Sequence, residues 1–290
     1  MLIGIVIPVY NGAQYIMRAV NSVINQTYKD WKLIVVDDCS TDNTAEVLLN
    51  NCTDERVFMI QHKKNRGAGV SRQTGNAALK DVDFITYLDA DDYWKPDFLD
   101  MCVRLQQQHD SDIVYTSFSV QYTKETKVIP AGDYIMAKEA TLQLYYWNKI
   151  KFLTGKLFRR SLIDTVQWSN RRVGEDCQTL YFLLYNAQRV RSSSYTGYIH
   201  VFRPGSLLAN APFFYCYCES TLAQTEIIEF LIKKKDERLI KYELGNIKRD
   251  YLKVIQAIKT GKIPAQDVQK NKARWNEVVE WFRYNRALFR

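Results

Sequence analysis

The chain has 290 residues, 47% of them hydrophobic and 25% charged, which allows a sizeable core and excludes a disordered segment or a disulfide-stapled miniprotein. Forty Lys plus Arg against 32 Asp plus Glu leave a net charge of +8. Residues 231–290 hold sixteen basic and seven acidic side chains, so the first 230 are close to neutral, which argues against a nucleic-acid partner and makes the basic tail a module of its own.

Along the first 120 residues, β-rich runs at Ile3–Val9, Lys32–Asp37, Val57–Gln61, Phe84–Leu88 and Asp112–Val120 alternate with amphipathic stretches at Ala13–Asn25, Thr44–Asn51 and Val70–Leu79. A further helix opens at Pro96 and runs to Gln108, with proline in the first turn. This alternation predicts an α/β fold with a mostly parallel sheet, in which ligands sit outside the carboxyl ends of the strands. Regularity weakens from Gln121 through Lys127. Helices are expected at Ala137–Tyr146 and Glu175–Asn186, a strand at Ser194–Phe202, and long helices at Pro212–Lys235, Leu239–Lys259 and Asp267–Phe289. The six cysteines form no CxxC pair and have no His cluster beside them, which predicts reduced thiols in a cytoplasmic protein rather than a zinc site. No apolar run is long enough for a membrane span.

The loops after the strands carry the chemistry. Asp89-Ala90-Asp91-Asp92 follows the fourth strand, and three carboxylates in four residues suit Mg²⁺ or Mn²⁺, which takes one or two carboxylates plus water and phosphate oxygens. The alternative is a solvated turn in which Asp92 caps a short helix. After the second strand, Ser40–Asn43 suit helix capping, whereas Asp37 and Asp38 suit a nucleotide base. Tyr10 offers a ring for base stacking or for packing. Gly67-Ala68-Gly69 starts like a dinucleotide fingerprint, but the sixth position is Arg72 and His62–Arg66 separate it from its strand. The motif therefore fits a loop near phosphates better than a dinucleotide site. Gly174-Glu175-Asp176 opens a helix, where the carboxylates either complement the helix dipole or supply a general base. His200 and Arg203 combine an imidazole with a cation suited to phosphate.

Together, IVIPVYNGAQYIMRAVNSVINQTYKDWKLIVVDDCSTDNT, NRGAGVSRQTGN, YLDADDYWKPDFL, GED and HVFRPGSL resemble, in order, the family 2 glycosyltransferases of bacterial polysaccharide and lipopolysaccharide assembly. The resemblance spans about residues 3–206 and implies a GT-A fold, Rossmann-like, as a catalytic domain over 1–206 (nucleotide half 1–120, acceptor half 121–206), followed by a basic helical region over 207–290. It implies that Pro8, Tyr10 and Asp38 hold the base, and that Asp89 contacts the ribose or the metal. Asp91 would ligate Mn²⁺ or Mg²⁺ with His200 completing the shell, Arg203 and Ser206 would contact the diphosphate, and Arg72 would belong to the nucleotide-sugar site. Asp176, with Glu175 as the second candidate, would be the catalytic base of an inverting transfer from a UDP-linked donor to a glycan or lipid-linked acceptor. Family members often read ARN where this chain has Ser71-Arg72-Gln73, so Arg72 is in register and the third position departs.

A sugar-phosphate nucleotidyltransferase and a non-catalytic sugar-nucleotide-binding protein are the competing classes. The first usually carries a basic Gly-rich loop after its first strand, and Pro8–Gly12 has no basic residue. Tyr145, Tyr146, Trp147 and Trp168 are candidates either for stacking on sugar faces or for the core. Aromatics mixed with cations over Lys270–Arg290 read as an interfacial helix on the anionic inner face of the cytoplasmic membrane, or as a helix packed on its own domain or on a second copy.

Overall fold

The computed structural model describes residues 1–147, 151–203 and 213–289. The chain divides into two compact units: Met1–Asn170 with Thr179–Arg203, and Arg171–Gln178 with Pro204–Arg290. Residues 171–178 thus leave the catalytic stretch expected over 1–206 and join the C-terminal unit.

In the first unit, β1 (Ile3–Val9), α1 (Ile16–Ile24), β2 (Trp31–Asp37), α2 (Thr44–Asn51), β3 (Val57–Gln61), α3 (Ala68–Ala78) and β4 (Phe84–Tyr87) alternate as expected. Every residue of β1 is buried, as a central strand of a helix-covered parallel sheet must be. The register sets Val9 beside Asp37 and Asp37 beside Gln61, so the loops that follow β1, β2 and β3 emerge side by side. Strand β4 ends at Tyr87 opposite Val6, and Leu88 N–H still donates to the Val6 carbonyl at 3.1 Å, which brings Asp89 to the same end.

Beyond β4 the sheet becomes mixed. After β5 (Tyr93–Trp94) and α4 (Phe98–His109) come β6 (Ile113–Gln121), β7 (Thr126–Ile129), β8 (Tyr134–Ala137), a 3-10 turn (Lys138–Ala140), α5 (Gln143–Trp147), β9 (Lys156–Arg159) and α6 (Arg160–Ile163). Helix α7 (Glu175–Asn186) and strand β10 (Arg189–Val201) follow. The described strands run β3-β2-β1-β4-β9-β6-β10-β5, with β7 on β6 and β8 on β10. Strand β9 is antiparallel to both β4 and β6, and β10 is parallel to β6, so β10 ends where β4 ends. The two residues of β5 pair antiparallel with Tyr198 and Ile199, which ties the acidic turn before β5 to the end of β10. The expected parallel pairing thus runs unbroken over β3-β2-β1-β4 and returns between β6 and β10, with antiparallel β9 between the two groups.

Helix α3 packs closely on β1 through Gly75. A Cβ there would lie 2.4 Å from Val6 Cγ1, so Gly75→Ala is expected to destabilise the fold by about 1–2 kcal/mol, overpacking outweighing the gain in helix propensity. A lowered Tm in thermal unfolding checks this.

The second unit contains α8 (Phe213–Lys234), α9 (Glu237–Lys259), α10 (Ala265–Lys270), α11 (Lys272–Tyr284) and a 3-10 turn (Arg286–Phe289). Asp236 caps α9 by accepting from Leu239 N–H at 3.1 Å. Phe214, Cys218, Leu222, Val254, Ile263 and Val278 form its main core, with Tyr251, Trp275 and Phe282 packed against them. Phe282 stacks on Tyr251 at 4.0 Å between centroids, and Trp281 Nε1 donates to Glu229 at 3.2 Å. Of the two readings of the tail, packing within its own unit accounts for Trp275, Trp281 and Phe282, so these rings are not an interfacial stripe. No described helix is long and apolar enough to cross a membrane.

Candidate active site

The first two strand-end loops are laced together. Asn11 N–H donates to Ser40 Oγ at 2.9 Å, Gly12 N–H to Thr44 Oγ1 at 2.9 Å, and Thr41 N–H to Asn11 Oδ1 at 2.8 Å. Ser40 and Thr41 therefore hold the first loop as well as bordering α2. Pro8 is buried within β1, and Tyr10 stands 50% exposed beside it, open to a stacking partner.

Asp38 is buried, and its carboxylate is already committed. Oδ1 accepts from His62 Nδ1 at 2.7 Å and from Arg66 N–H at 2.8 Å, while Oδ2 accepts from Gly67 N–H at 2.6 Å and from Arg66 N–H at 3.0 Å. These contacts fill the four or so lone-pair sites of a carboxylate, so a base contact at Asp38 asks one of these donors to give way. What Asp38 does in this arrangement is fold the 62–67 loop back to the start of α3, with Gly67 at φ +90°, a conformation glycine adopts without a steric cost. Asp37 is likewise internal, accepting from Ser40 N–H and Gln61 Nε2.

The acidic turn after β4 is the electrostatic centre. Arg72, buried on α3, donates through Nη2 to Asp89 Oδ1 at 2.8 Å. Arg203 grips Asp91 through both Nε, at 3.0 Å, and Nη2, while its guanidinium lies 4.1 Å over the Tyr15 ring. Arg18 donates to the Asp91 carbonyl. Each of the two carboxylates expected at the metal thus faces an arginine expected at the phosphates. Asp89, with its side chain 36% exposed, is the more accessible.

Asp92 does not cap a helix. It is fully buried and accepts from Tyr198 Oη, from His200 Nδ1 at 3.1 Å and from Val201 N–H at 2.8 Å. Burial pushes its carboxyl upward, against the pull of His200. Burial lowers His200, but the contact with Asp92 outweighs it and holds the imidazole above its ordinary value. A carboxylate on one ring nitrogen fixes the imidazole's orientation and leaves Nε2 as the nitrogen by which His200 would ligate a metal. Asp92→Ala is expected to cost about 3 kcal/mol, since it strips buried donors of their acceptor. Denaturant unfolding monitored by circular dichroism checks it.

Among the described residues, no group of three or more His, Cys, Asp and Glu side chains is arranged to hold a metal ion. Asp89 and Asp91 nevertheless suit a hard cation that draws its other ligands from water and a diphosphate. Ser206 lies outside the described residues, as does the side chain of Trp147. Tyr145 is buried against Tyr146 and Tyr181 and serves the core, while Tyr146 and Trp168 are half-buried, Trp168 lying edge-on to Tyr87.

Glu175 and Asp176 occupy the first turn of α7, where the helix dipole favours their charge. Gly174 before them has φ +84°, and a Cβ there would lie 3.4 Å from Ala223 Cβ. The turn is thus set closely on α8 of the same unit.

The architecture is the GT-A fold of glycosyltransferases. Staphylococcus aureus TarS, solved as residues 1–349, superposes with a TM-score of 0.71 at 19% identity, covering 96% of this chain and 79% of that one. The same enzyme in complex with UDP-GlcNAc superposes at 0.66 and 21% identity, over 79% and 67% of the two chains. Residues 4–167 match the profile of Glycosyl transferase family 2, and the chain belongs to that family. TuaG, a glycosyltransferase assigned to teichuronic acid biosynthesis in Bacillus subtilis, is 31% identical over 187 residues, which is 63% of this chain and 72% of TuaG. Escherichia coli WfgD, named as a UDP-Glc:alpha-D-GlcNAc-diphosphoundecaprenol beta-1,3-glucosyltransferase, is 33% identical over 121 residues, or 41% of this chain and 46% of WfgD.

Proposed function

We propose that this glycosyltransferase moves a sugar from a UDP-linked donor to a hydroxyl of a glycan or lipid-linked acceptor in bacterial surface polysaccharide synthesis, with Mn²⁺ or Mg²⁺ and with inversion at the anomeric carbon. The observation that carries this reading is the pairing of Asp89 with Arg72 and of Asp91 with Arg203 at the ends of β4 and β10. Two carboxylates and two guanidiniums balance in the free protein, and the same four groups match a divalent cation and a diphosphate by exchanging partners. The names of TuaG, WfgD and the UDP-GlcNAc complex of TarS support the donor and acceptor classes.

Asp89 and Asp91 would hold the metal, which would supply positive charge to the departing nucleoside diphosphate. Arg203 turns from Asp91 to the diphosphate oxygens, where charge grows as the bond breaks. Tyr10 offers its exposed face to the base. Asp176 takes the proton of the acceptor hydroxyl while that oxygen bonds to the anomeric carbon. The bond from that carbon to the diphosphate breaks with its electron pair leaving on phosphate, and one displacement from the opposite face inverts the centre.

The test is a panel of UDP-, GDP- and dTDP-sugars with and without MnCl₂, read by nucleoside diphosphate release and by thermal stabilisation. Metal-dependent release of UDP supports the reading. Pyrophosphate release would instead identify a nucleotidyltransferase, and stabilisation without turnover a binding protein. Attachment to the cytoplasmic face of the membrane belongs to the same proposal, through exposed cations of the C-terminal unit rather than its packed rings. Failure of the full chain to co-sediment with phosphatidylglycerol vesicles removes that part.

A further inference from the structure

Helix α8 buries one glutamate completely. Glu219 is 0% exposed, between Cys218 and the packed Leu222 and Ala223. A buried carboxylate is costly unless cations reach it, and here two do, from separate parts of the C-terminal unit. Arg274 of α11 brings Nε to 2.8 Å from one oxygen, and Arg171 brings Nη1 to 3.6 Å from the other. Arg171 also pairs with Glu226, two turns along the same helix, and Gln178 donates to the other oxygen of Glu226. Between Arg171 and Gln178 lies the turn carrying Glu175 and Asp176, close enough to α8 that a Cβ added at Gly174 would meet Ala223 Cβ, Ser220 Cα and the Glu219 carbonyl at ordinary van der Waals distances.

The segment is therefore tied to α8 at both ends, Arg171 hydrogen-bonding Glu226 and ion-pairing with Glu219, and Gln178 hydrogen-bonding Glu226, with Gly174 passing close to the helix between them. Its anchors at 219, 220, 223 and 226 recur at the spacing of one helix face. Arg274 supports the same buried carboxylate from the far end of the chain and also pairs with Glu277 at 3.0 Å.

We infer that Glu219 is a positioning residue for sugar transfer, a buried carboxylate that, through Arg171, fixes the turn presenting Asp176 and, through Arg274, makes that turn depend on the C-terminal helix. The inference rests on Asp176 being the base. A general base must hold its carboxylate within hydrogen-bond reach of the proton it removes, and small misplacements lower turnover without altering donor affinity.

The experiment compares the full chain with Glu219→Gln, Arg274→Gln and Asp176→Asn on UDP-glucose and UDP-N-acetylglucosamine with MnCl₂, reading kcat and donor KM from UDP release and folding from circular dichroism. Glu219→Gln is expected to lower kcat at least about tenfold with donor KM within twofold. Arg274→Gln, altered at a side chain that is 44% exposed, is expected to lower kcat about threefold or more with the same unchanged KM, and it carries the test alone if Glu219→Gln does not fold. Native kcat in the folded variants, or a loss expressed through donor KM, overturns the positioning role while a slow Asp176→Asn leaves the base in place. Full turnover by Asp176→Asn, or turnover of neither donor by the native chain, overturns the underlying reading and this inference with it.

Discussion

Replacing Asp91 with alanine is expected to abolish Mn²⁺-dependent donor use, lowering kcat/KM by about 10²-fold or more, equivalent to roughly 3 kcal/mol. The size follows from what Asp91 faces. In the free protein its carboxylate neutralises Arg203, so the substitution removes the metal ligand proposed at this site and also leaves an arginine, 29% exposed, without its counter-charge. A diphosphate would still attract that arginine. Asp91→Ala is therefore expected to retain weak, metal-independent binding of UDP while losing turnover, a separation that calorimetry with UDP in EDTA and in MnCl₂ resolves. Undiminished Mn²⁺-dependent turnover by Asp91→Ala would remove Asp91 from the metal site.

The second large effect is expected at Asp176. Asp176→Asn keeps the size and hydrogen-bonding shape of the side chain but cannot accept the acceptor's proton, and general-base catalysis is typically worth about 10²–10⁴ in rate. Donor binding, read by thermal stabilisation with UDP-sugar and MnCl₂, is expected to stay near native. Glu175→Gln in the same assay distinguishes the two neighbours: a larger loss there than at Asp176 would move the base by one residue.

The first half of the sheet was legible because β1, β2 and β4 are buried almost throughout and β3, at its edge, is still a short apolar run. Ile3–Val9 and Val57–Gln61 read as strands with the boundaries they have, and the register that aligns Val9, Asp37 and Gln61 follows from the parallel alternation. The second half resisted for physical reasons. Strand β7 has mainly exposed residues, so it reads as a polar loop. The two residues of β5 are too few to show any period. The stretch expected as one helix over Ala137–Tyr146 is the end of β8, a 3-10 turn and the start of α5, since the apolar spacing there is set by distant neighbours. In the tail, the helix expected over Asp267–Phe289 breaks at Asn271.

The site divides in the same way. Asp89, Asp91 and Arg203 declared themselves by residue type at strand ends, but their pairing did not, because Arg203 lies 112 positions from Asp91. Asp92 looked like a cap because a cap is the local use of an aspartate; its partners Tyr198 and His200 lie 106 and 108 positions away. Asp38 reads from its strand-end position as a ligand contact, whereas three donors within the chain, one of them shared by both oxygens, make its four contacts. No local pattern singled out Glu219 among the three acids of α8; its arginines reach it only after folding.

The division of the chain has a consequence for synthesis. The segment 171–178 leaves the ribosome with the strands around it, yet the glutamate that clasps Arg171 lies 55 positions downstream, and Arg274 is added close to the end. Domains form as units while the chain is being made, so the sheet can close before this short stretch has anything to rest on. A chain released near residue 203 would hold a nearly finished first unit while the turn with Glu175 and Asp176 still lacks its helical bed. Nascent chains of that length would be expected to capture a sugar nucleotide without spending it, and chimeras between relatives would need to carry residues 171–178 along with the C-terminal helices.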